Sequence, residues 1–158
     1  MQKLKLKIKN LVEMEELAQS LALYFNEQPG IIFLDGDLGA GKTTFTQFFA
    51  KEIGVQEVVT SPTFNIFKRY QGSKRYLNHF DLYRIKDNVY DQGFEEYWDS
   101  MEDITIIEWS KYLPNEFKSL ANLHLTIKII DEDKREIAVL AKNSIILFLE
   151  ENNDEFIY

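Results

Sequence analysis

The sequence contains no cysteine among its 158 residues, which excludes disulfides, thiolate metal sites and a cysteine nucleophile. Its two histidines, His79 and His124, are too few for a zinc site built on imidazole ligands. No apolar run approaches the length of a membrane span. Residues 1–5 alternate charged and apolar side chains and so lack the continuous apolar core of a signal peptide. These absences predict a cytoplasmic protein.

Positive charge is also scarce, since 18 Lys and Arg residues face 26 Asp and Glu residues and leave a net charge of −8. Lys and Arg supply most of the affinity for nucleic acid by neutralising phosphates. The balance therefore argues that this chain does not bind nucleic acid strongly by itself. A local basic patch within residues 68–75 is the alternative, although the solvated flanks of a hairpin explain the same residues.

The length and composition are typical of one globular domain, with 45% hydrophobic and 14% aromatic residues. No repeat, linker or low-complexity segment divides the chain, so we expect a single domain over residues 1–158. The tail is rich in acidic residues. We therefore expect residues 150–158 to be loosely held.

The most informative stretch is residues 36–43, which match the pattern G-x-x-x-x-G-K-[ST] at every fixed position. An apolar run at residues 31–34 predicts a buried strand before it, and residues 43–53 predict a helix after it. Glycines let successive N–H groups point at one anion, and the helix N-terminus adds its positive dipole end. Lys42 can then reach the β- and γ-phosphates of a nucleotide, and the Thr43 hydroxyl can hold Mg²⁺.

A second informative stretch is the apolar run at residues 104–108, which ends in Glu108. This pattern is typical of a Walker B strand, whose last residue emerges beside the phosphate loop. A carboxylate there can bind Mg²⁺ directly or through water, or polarise an attacking water. The alternative is an ordinary acidic strand end.

Alternation and periodicity predict the remaining elements. Leu4, Leu6 and Ile8 indicate a half-exposed strand, and a helix follows from Asn10, which with Glu13 resembles a capping box. Two strands are expected at residues 64–70 and 75–83, and a short helix is expected after Gly93. A second hairpin is expected at residues 123–130 and 136–140.

Four motifs together resemble the TsaE family, the small bacterial ATPases of tRNA threonylcarbamoyladenosine biosynthesis. They are the phosphate loop at residues 36–44, Ser-Pro-Thr-Phe at 61–64, His-Phe-Asp-Leu-Tyr-Arg at 79–84 and Ile-Glu-Trp at 107–109. An acidic-aromatic stretch at residues 93–97 fits the same family. The resemblance covers roughly residues 10 to 112. The phosphate loop alone is generic, whereas the order and spacing of the four motifs are specific.

The resemblance implies an α/β fold, a single P-loop NTPase domain whose central mixed, largely parallel sheet is flanked by helices. It implies Mg²⁺-dependent ATP binding and slow hydrolysis, stimulated by two partner proteins of the TsaB and TsaD types. Together these proteins modify the adenosine next to the anticodon of certain tRNAs. Contact with tRNA is then indirect, through the partners.

Residue by residue, the resemblance assigns Thr43 and Glu108 to Mg²⁺ and Lys42, Asp81 and Glu108 to catalysis. The nucleotide would contact the following residues: Gly36, Asp37, Leu38, Gly39, Ala40, Gly41, Lys42, Thr43, Thr44, Thr63 and Trp109.

Several residues of these motifs have simpler explanations. Asp81 beside Arg84 could form a surface pair, His79 could be a buried hydrogen-bonded histidine, and Trp109 could fill the core. The hydroxyls at positions 60, 61 and 63 could close a turn or sense a γ-phosphate as a switch loop does.

Two other functions stay open. One is a small-molecule P-loop kinase, although such enzymes need an arginine-bearing acceptor site and a lid. Here the arginines are few and scattered. The other is a nucleotide-dependent interaction module whose ATP turnover is incidental.

Overall fold

The computed structural model describes residues 1–86, 93, 95–98 and 100–158. Its seven strands form one sheet in the order β1-β7-β6-β2-β5-β4-β3. The strands are β1 (Gln2–Ile8), β2 (Ile31–Gly36), β3 (Phe67–Gln71), β4 (Tyr76–Asp81), β5 (Ile104–Glu108), β6 (Leu123–Ile129) and β7 (Arg135–Ala141). The helices are α1 (Leu11–Glu27), α2 (Lys42–Glu52), α3 (Glu95–Trp98) and α4 (Asn143–Asn152).

The sheet is mixed, and its parallel part is confined to the four central strands. Strands β6, β2, β5 and β4 pair in parallel, whereas β1, β7 and β3 all pair antiparallel. The prediction of a largely parallel sheet is therefore wrong, because three of the six strand pairs are antiparallel. The short turns before β7 and β4 explain the β6–β7 and β3–β4 pairs, since parallel neighbours need a long crossover connection.

The helix and hairpin predictions agree with the structure in most places. Asn10 caps α1, because its side-chain oxygen accepts the N–H of Glu13 at 2.9 Å, and Glu13 accepts the N–H of Lys9. The expected short helix after Gly93 is α3. Residues 87–92, 94 and 99 lie outside the described residues. The expectations that involve these residues, including Phe94 of the acidic-aromatic stretch, therefore lie outside them as well.

One strand begins later than the alternation predicts. Residues 64–66 form a turn rather than the start of a strand, and β3 begins at Phe67. The reason is a tight backbone bend, in which the N–H of Ile66 donates to Pro62 and Ile66 takes a φ of 68°. The hydroxyl segment before β3 is thereby folded back toward the sheet.

Apolar side chains pack on both faces of the sheet. Helices α1 and α2 cover one face with Leu21, Phe25, Phe45 and Phe49, all fully buried. The opposite face of the central strands carries a second, smaller cluster, whose members include Phe33, Phe80, Trp98, Ile107 and Trp109. Both clusters reach the carboxyl edge of the parallel strands, since the first includes Ala40 of the phosphate loop and the second includes Trp109 directly after β5.

The acidic tail is packed, in contrast to the expectation that it would be loosely held. Phe156 is only 2% exposed, and Ile157 forms a bridge with Leu6 of β1. The N–H of Tyr158 donates to Lys5. Apolar burial of the tail therefore outweighs the solvation of its acidic residues. Among the described residues, no helix is long and apolar enough to cross a membrane.

Candidate nucleotide site

The phosphate loop joins the end of β2 to the start of α2 in a backbone conformation that requires glycine. Gly41 precedes α2 with a φ of 110°, a left-handed value that side chains rarely adopt. Gly36 has a φ of 153°, and a Cβ there would lie 2.7 Å from the Ile127 carbonyl oxygen. The loop therefore curls where the sequence pattern predicts, with the N-terminus of α2 at its end.

Lys42 is the first residue of α2, and its side chain turns back over the loop. Its Nζ donates to the carbonyl of Gly36 at 2.5 Å and to that of Asp37 at 3.1 Å. The side chain is almost fully buried, and this desolvation lowers the pKa of Lys42, although Glu108 and Asp81 partly offset the effect. The ammonium group is thus held at the site where a phosphate chain would lie.

The two predicted carboxylates are neighbours in the sheet. Asp81 ends β4 and Glu108 ends β5, and the parallel register places them directly opposite each other. Both are buried, at 3% and 1% exposure. Parallel strands bring their carboxyl ends to one edge of a sheet, which is where ligands of such folds bind. The structure therefore brings both acids to the phosphate loop.

His79 lies beneath Glu108. Its Nε2 is 2.6 Å from Glu108 Oε2, and its ring is fully buried. When the carboxylate is ionised it can only accept, so the imidazole is the donor of this bond. This geometry favours the interpretation of His79 as a hydrogen-bonded core residue that orients Glu108.

Asp81 connects the sheet to the hydroxyl segment before β3. Its Oδ2 accepts the Thr63 hydroxyl at 2.8 Å and the Ser61 hydroxyl at 3.4 Å, and its Oδ1 accepts the backbone N–H of Tyr83. Arg84 instead places its guanidinium over the ring of Phe64. The alternative of a surface ion pair with Arg84 is therefore wrong for Asp81.

These residues enclose a cleft of about 320 Å³ at the N-terminus of α2. Its lining includes ten of the predicted residues: Leu38, Gly39, Gly41, Lys42, Thr43, Thr44, Thr63, Asp81, Glu108 and Trp109. The other three lie outside the lining but in the same loop. Gly36 and Asp37 hold Lys42 through their carbonyls, and the Ala40 carbonyl accepts Nε of Arg135 at 2.9 Å.

The cleft is also lined by Tyr83 and Ser61. Sequence reasoning missed Tyr83 as a site residue, although it follows Asp81 by two positions in the same motif. A single-turn 3₁₀ helix at Tyr83–Ile85 turns its ring toward the ring of Trp109, with 4.9 Å between centroids. The motif at residues 79–84 could have indicated Tyr83, because Tyr83 is the first aromatic residue after Asp81.

A second cleft of about 270 Å³ lies on the other side of the phosphate loop and shares Gly39, Gly41 and Thr44 with the first. The N-terminal end of α1 contributes Asn10, Leu11 and Met14, and the hairpin between β6 and β7 contributes Arg135. Sequence reasoning gave this hairpin no role. In the structure its Arg135 holds the phosphate loop through the Ala40 carbonyl.

The donor chemistry of the first cleft fits Mg²⁺. Thr43 offers a hydroxyl and Glu108 a carboxylate, the oxygen ligands that a hard cation prefers. Within the part of the chain that the structure describes, no three His, Cys, Asp or Glu residues form a complete metal cage. Mg²⁺ does not need one, because it usually binds through one or two protein oxygens together with phosphates and waters.

Comparison with known proteins identifies relatives over most of the chain. The family model for threonylcarbamoyl adenosine biosynthesis protein TsaE matches residues 8–137. The TsaE protein of Bacillus subtilis (strain 168) is 37% identical over 142 residues, covering 89% of this chain and 87% of that protein. The TsaE protein of Haemophilus influenzae is 33% identical over 137 residues, covering 83% and 82%. A solved structure of Bacillus subtilis YdiB matches with a TM-score of 0.74 at 30% identity, covering 98% of this chain and 96% of that one.

Proposed function

The chain belongs to the TsaE family and is a protein of tRNA threonylcarbamoyladenosine biosynthesis, and on this premise we propose that it binds ATP with Mg²⁺ and hydrolyses it slowly. The single observation that carries the proposal is the convergence of Lys42, Thr43, Asp81 and Glu108 on one cleft at the phosphate loop. A triphosphate, a metal ion and an attacking water each need one of these groups.

Each residue has a proposed role in binding or hydrolysis that follows from its chemistry. The loop N–H groups and Lys42 bind the phosphates, and the Thr43 hydroxyl and Glu108 hold Mg²⁺. Bound Mg²⁺ neutralises charge on the phosphate oxygens. Asp81 accepts a hydrogen bond from Thr63 and lies opposite Glu108 in the sheet. In this proposal it orients water for attack on the γ-phosphate.

The base of the nucleotide lies in the second cleft under this proposal. The two clefts meet at the phosphate loop, and the first contains both carboxylates, so the triphosphate end belongs there. The second offers Leu11 and Met14 for the apolar face of a base. Comparing the affinities of ATP and inorganic triphosphate tests whether the nucleoside is contacted at all, because a base and ribose without contacts would add nothing to the affinity.

Two partner proteins of the TsaB and TsaD types stimulate the turnover under the same proposal. Asp81 binds Thr63 and Ser61, so a γ-phosphate or metal ion beside Asp81 changes the bonding of that segment. The segment continues into Phe64, which is 81% exposed, and Leu38 of the phosphate loop is 73% exposed. Leu38 lines the cleft, and Phe64 directly follows Thr63, which also lines it. These exposed apolar residues would give a partner a surface that depends on the nucleotide.

The tRNA is reached through these partners, because a chain with a net charge of −8 lacks the dense basic surface that phosphate neutralisation requires. A cytoplasmic location, predicted from the sequence, belongs to the same proposal. The small-molecule kinase alternative loses support, because no arginine is among the described residues that line the first cleft.

The decisive experiment compares ATP hydrolysis by this protein alone and with the two partners. We expect slow turnover alone, faster turnover with the partners, and a complex whose formation depends on ATP. Asp81→Ala should abolish the stimulation while leaving part of the ATP affinity. Labelled tRNA titrated into the isolated chain near physiological salt should show only weak binding.

Two other results would contradict the proposal. Tight, strongly salt-dependent tRNA binding by the isolated chain, with partners that leave turnover unchanged, would place the tRNA contact on this protein and refute the partner-dependent cycle. Phosphorylation of a metabolite in a panel incubated with ATP would instead favour the kinase.

A further inference from the structure

Three residues far apart in the sequence form a hydrogen-bonded cluster behind the first cleft. Asp35 of β2 accepts the Ser110 hydroxyl at 2.5 Å and Nε2 of His124 at 2.7 Å, both on its Oδ2. Asp35 is 8% exposed and Ser110 is 2% exposed. The cluster therefore links β2, the turn after β5 and β6, with Asp35 and Ser110 buried and the His124 side chain 32% exposed.

The cluster lies next to a strained residue. Trp109 has φ 57° and ψ 42°, the left-handed conformation, which is unfavourable for a bulky side chain. Such a residue persists only where its surroundings hold it in place. Ser110 is its immediate neighbour, and the bond from Ser110 to Asp35 attaches the turn to the strand that leads into the phosphate loop.

The left-handed turn decides where the Trp109 side chain lies. Its ring faces the Lys42 ammonium, with 4.5 Å from Nζ to the ring centroid, and it packs against Tyr83. The Lys42 Nζ in turn donates to Gly36, the residue after Asp35. Asp35 is thus linked to the site along two routes, through β2 to Lys42 and through Ser110 to Trp109.

We propose that Asp35, Ser110 and His124 are positioning residues that hold Trp109 in its left-handed conformation over Lys42 and so shape the nucleotide cleft. The effect on nucleotide binding rests on the proposed function, whereas the effect on Trp109 itself does not. None of the three residues lines the first cleft, so the cluster acts through Trp109.

The charge of Asp35 supports this role. Burial would raise the pKa of Asp35, but the hydrogen bonds from His124 and Ser110 outweigh it and lower the pKa below its ordinary 3.8. An ionised carboxylate accepts stronger hydrogen bonds than a neutral one. The imidazole of His124 packs edge-on against Phe33, with 5.7 Å between ring centroids, and this contact keeps it beside the carboxylate.

The test is ¹⁹F NMR of the full-length protein labelled with 5-fluorotryptophan, without nucleotide. Only Trp98 and Trp109 carry the label. Trp98 packs among Phe80 and Phe117 and serves as an internal reference for the fold, with its line assigned by Trp98→Phe. We expect Ser110→Ala and Asp35→Asn to shift or broaden the Trp109 line and to leave the Trp98 line in place.

Two further variants serve as a control and as a rescue. Ser144→Ala is the matched control, because Ser144 also shares a side-chain hydrogen bond, with Tyr24 at 2.9 Å, but away from the residues that line the cleft. It should leave the Trp109 line unchanged. Ser110→Thr keeps the hydroxyl and should restore a line close to that of the unmodified protein.

The same variants are then titrated with Mg²⁺ and ATP. We expect Ser110→Ala to weaken ATP binding by about threefold to tenfold, the range of a cation–π contact at a partly desolvated site. Ser144→Ala should bind ATP as the unmodified protein does.

Three outcomes would overturn the inference. The first is an unchanged Trp109 line in Ser110→Ala and Asp35→Asn. The second is an equal disturbance of both tryptophan lines, which would make the cluster a general support of the fold. The third is a displaced Trp109 with unchanged ATP affinity. If the unmodified protein does not bind ATP, the proposed function fails, while the tryptophan lines still decide whether the cluster positions Trp109.

Discussion

Replacing Lys42 by alanine is the most direct test of the phosphate loop. In the structure the Lys42 ammonium is held by the carbonyls of Gly36 and Asp37 and lies close enough to Glu108 and Asp81 for their charges to act on it. It is therefore confined to the cleft before any ligand arrives, and little ordering remains to be done when phosphates bind. Lys42→Ala removes this cation and leaves the glycines that shape the backbone of the loop in place.

The size of the effect follows from the hydrogen bond that the substitution removes. A hydrogen bond to a charged group contributes about 1.5–3 kcal/mol. At about 1.4 kcal/mol for each factor of ten, the dissociation constant of ATP should rise about tenfold to a hundredfold. Turnover should fall as well, because charge on the β- and γ-phosphate oxygens would lose its neutralising partner in the transition state.

Isothermal titration calorimetry with ATP and Mg²⁺ measures the change, and thermal unfolding followed by circular dichroism verifies that the variant is folded. Lys51→Ala is the matched control, because Lys51 is an exposed lysine in the last turn of the same helix. It should bind ATP normally. A folded Lys42→Ala protein with unchanged affinity and turnover would refute the assignment of the loop.

Three further predictions concern the metal, the acid stability and the tail. Thr43→Ala and Glu108→Gln should each raise the Mg²⁺ concentration for half-maximal turnover. Their combined effect should be less than additive, because the proposed function gives them one shared ion; strict additivity would contradict the shared site. Because the folded pKa of Asp35 is below 3.8, its contribution to stability is present above that pH and is lost as the pH falls through the folded value. Asp35→Asn should therefore show a flatter fall of melting temperature below about pH 4 than the unmodified protein. Phe156→Ala should lower the free energy of unfolding by about 3–5 kcal/mol at unchanged ATP affinity, whereas a variant as stable as the original would mean that the tail is not part of the core.

The parts of the site that are contiguous in the sequence could be predicted, and the parts that depend on register could not. The phosphate loop is one uninterrupted pattern with a strand before it and a helix after it, so local chemistry suffices. The pairing of Asp81 with Glu108 needs β4 and β5 to be parallel neighbours in one register. The alternation indicates that each acid lies near the end of a strand, but only the resemblance to a family brings them together.

Two of the errors, the early start of β3 and the loosely held tail, have the same physical origin. Alternating residues predict a strand from position 64, but alternation does not report the bend in which Ile66 takes a positive φ. The acidic residues of the tail predict a loosely held end, although Phe156 and Ile157 stand among them and decide its packing. In both places a few specific contacts outweigh the average character of the segment.

The cluster that supports Trp109 is the part of the site least visible in the sequence. Asp35, Ser110 and His124 carry no motif, and 89 positions separate the first from the last, yet they share one buried carboxylate oxygen. The position of Trp109 directly after Glu108 makes it a candidate site residue, but no sequence pattern indicates its left-handed backbone conformation. A substitution in the cluster would therefore alter the cleft while every residue of the four motifs stayed in place. The motifs are enough to recognise such a site, whereas its geometry depends on residues that only the folded chain brings together.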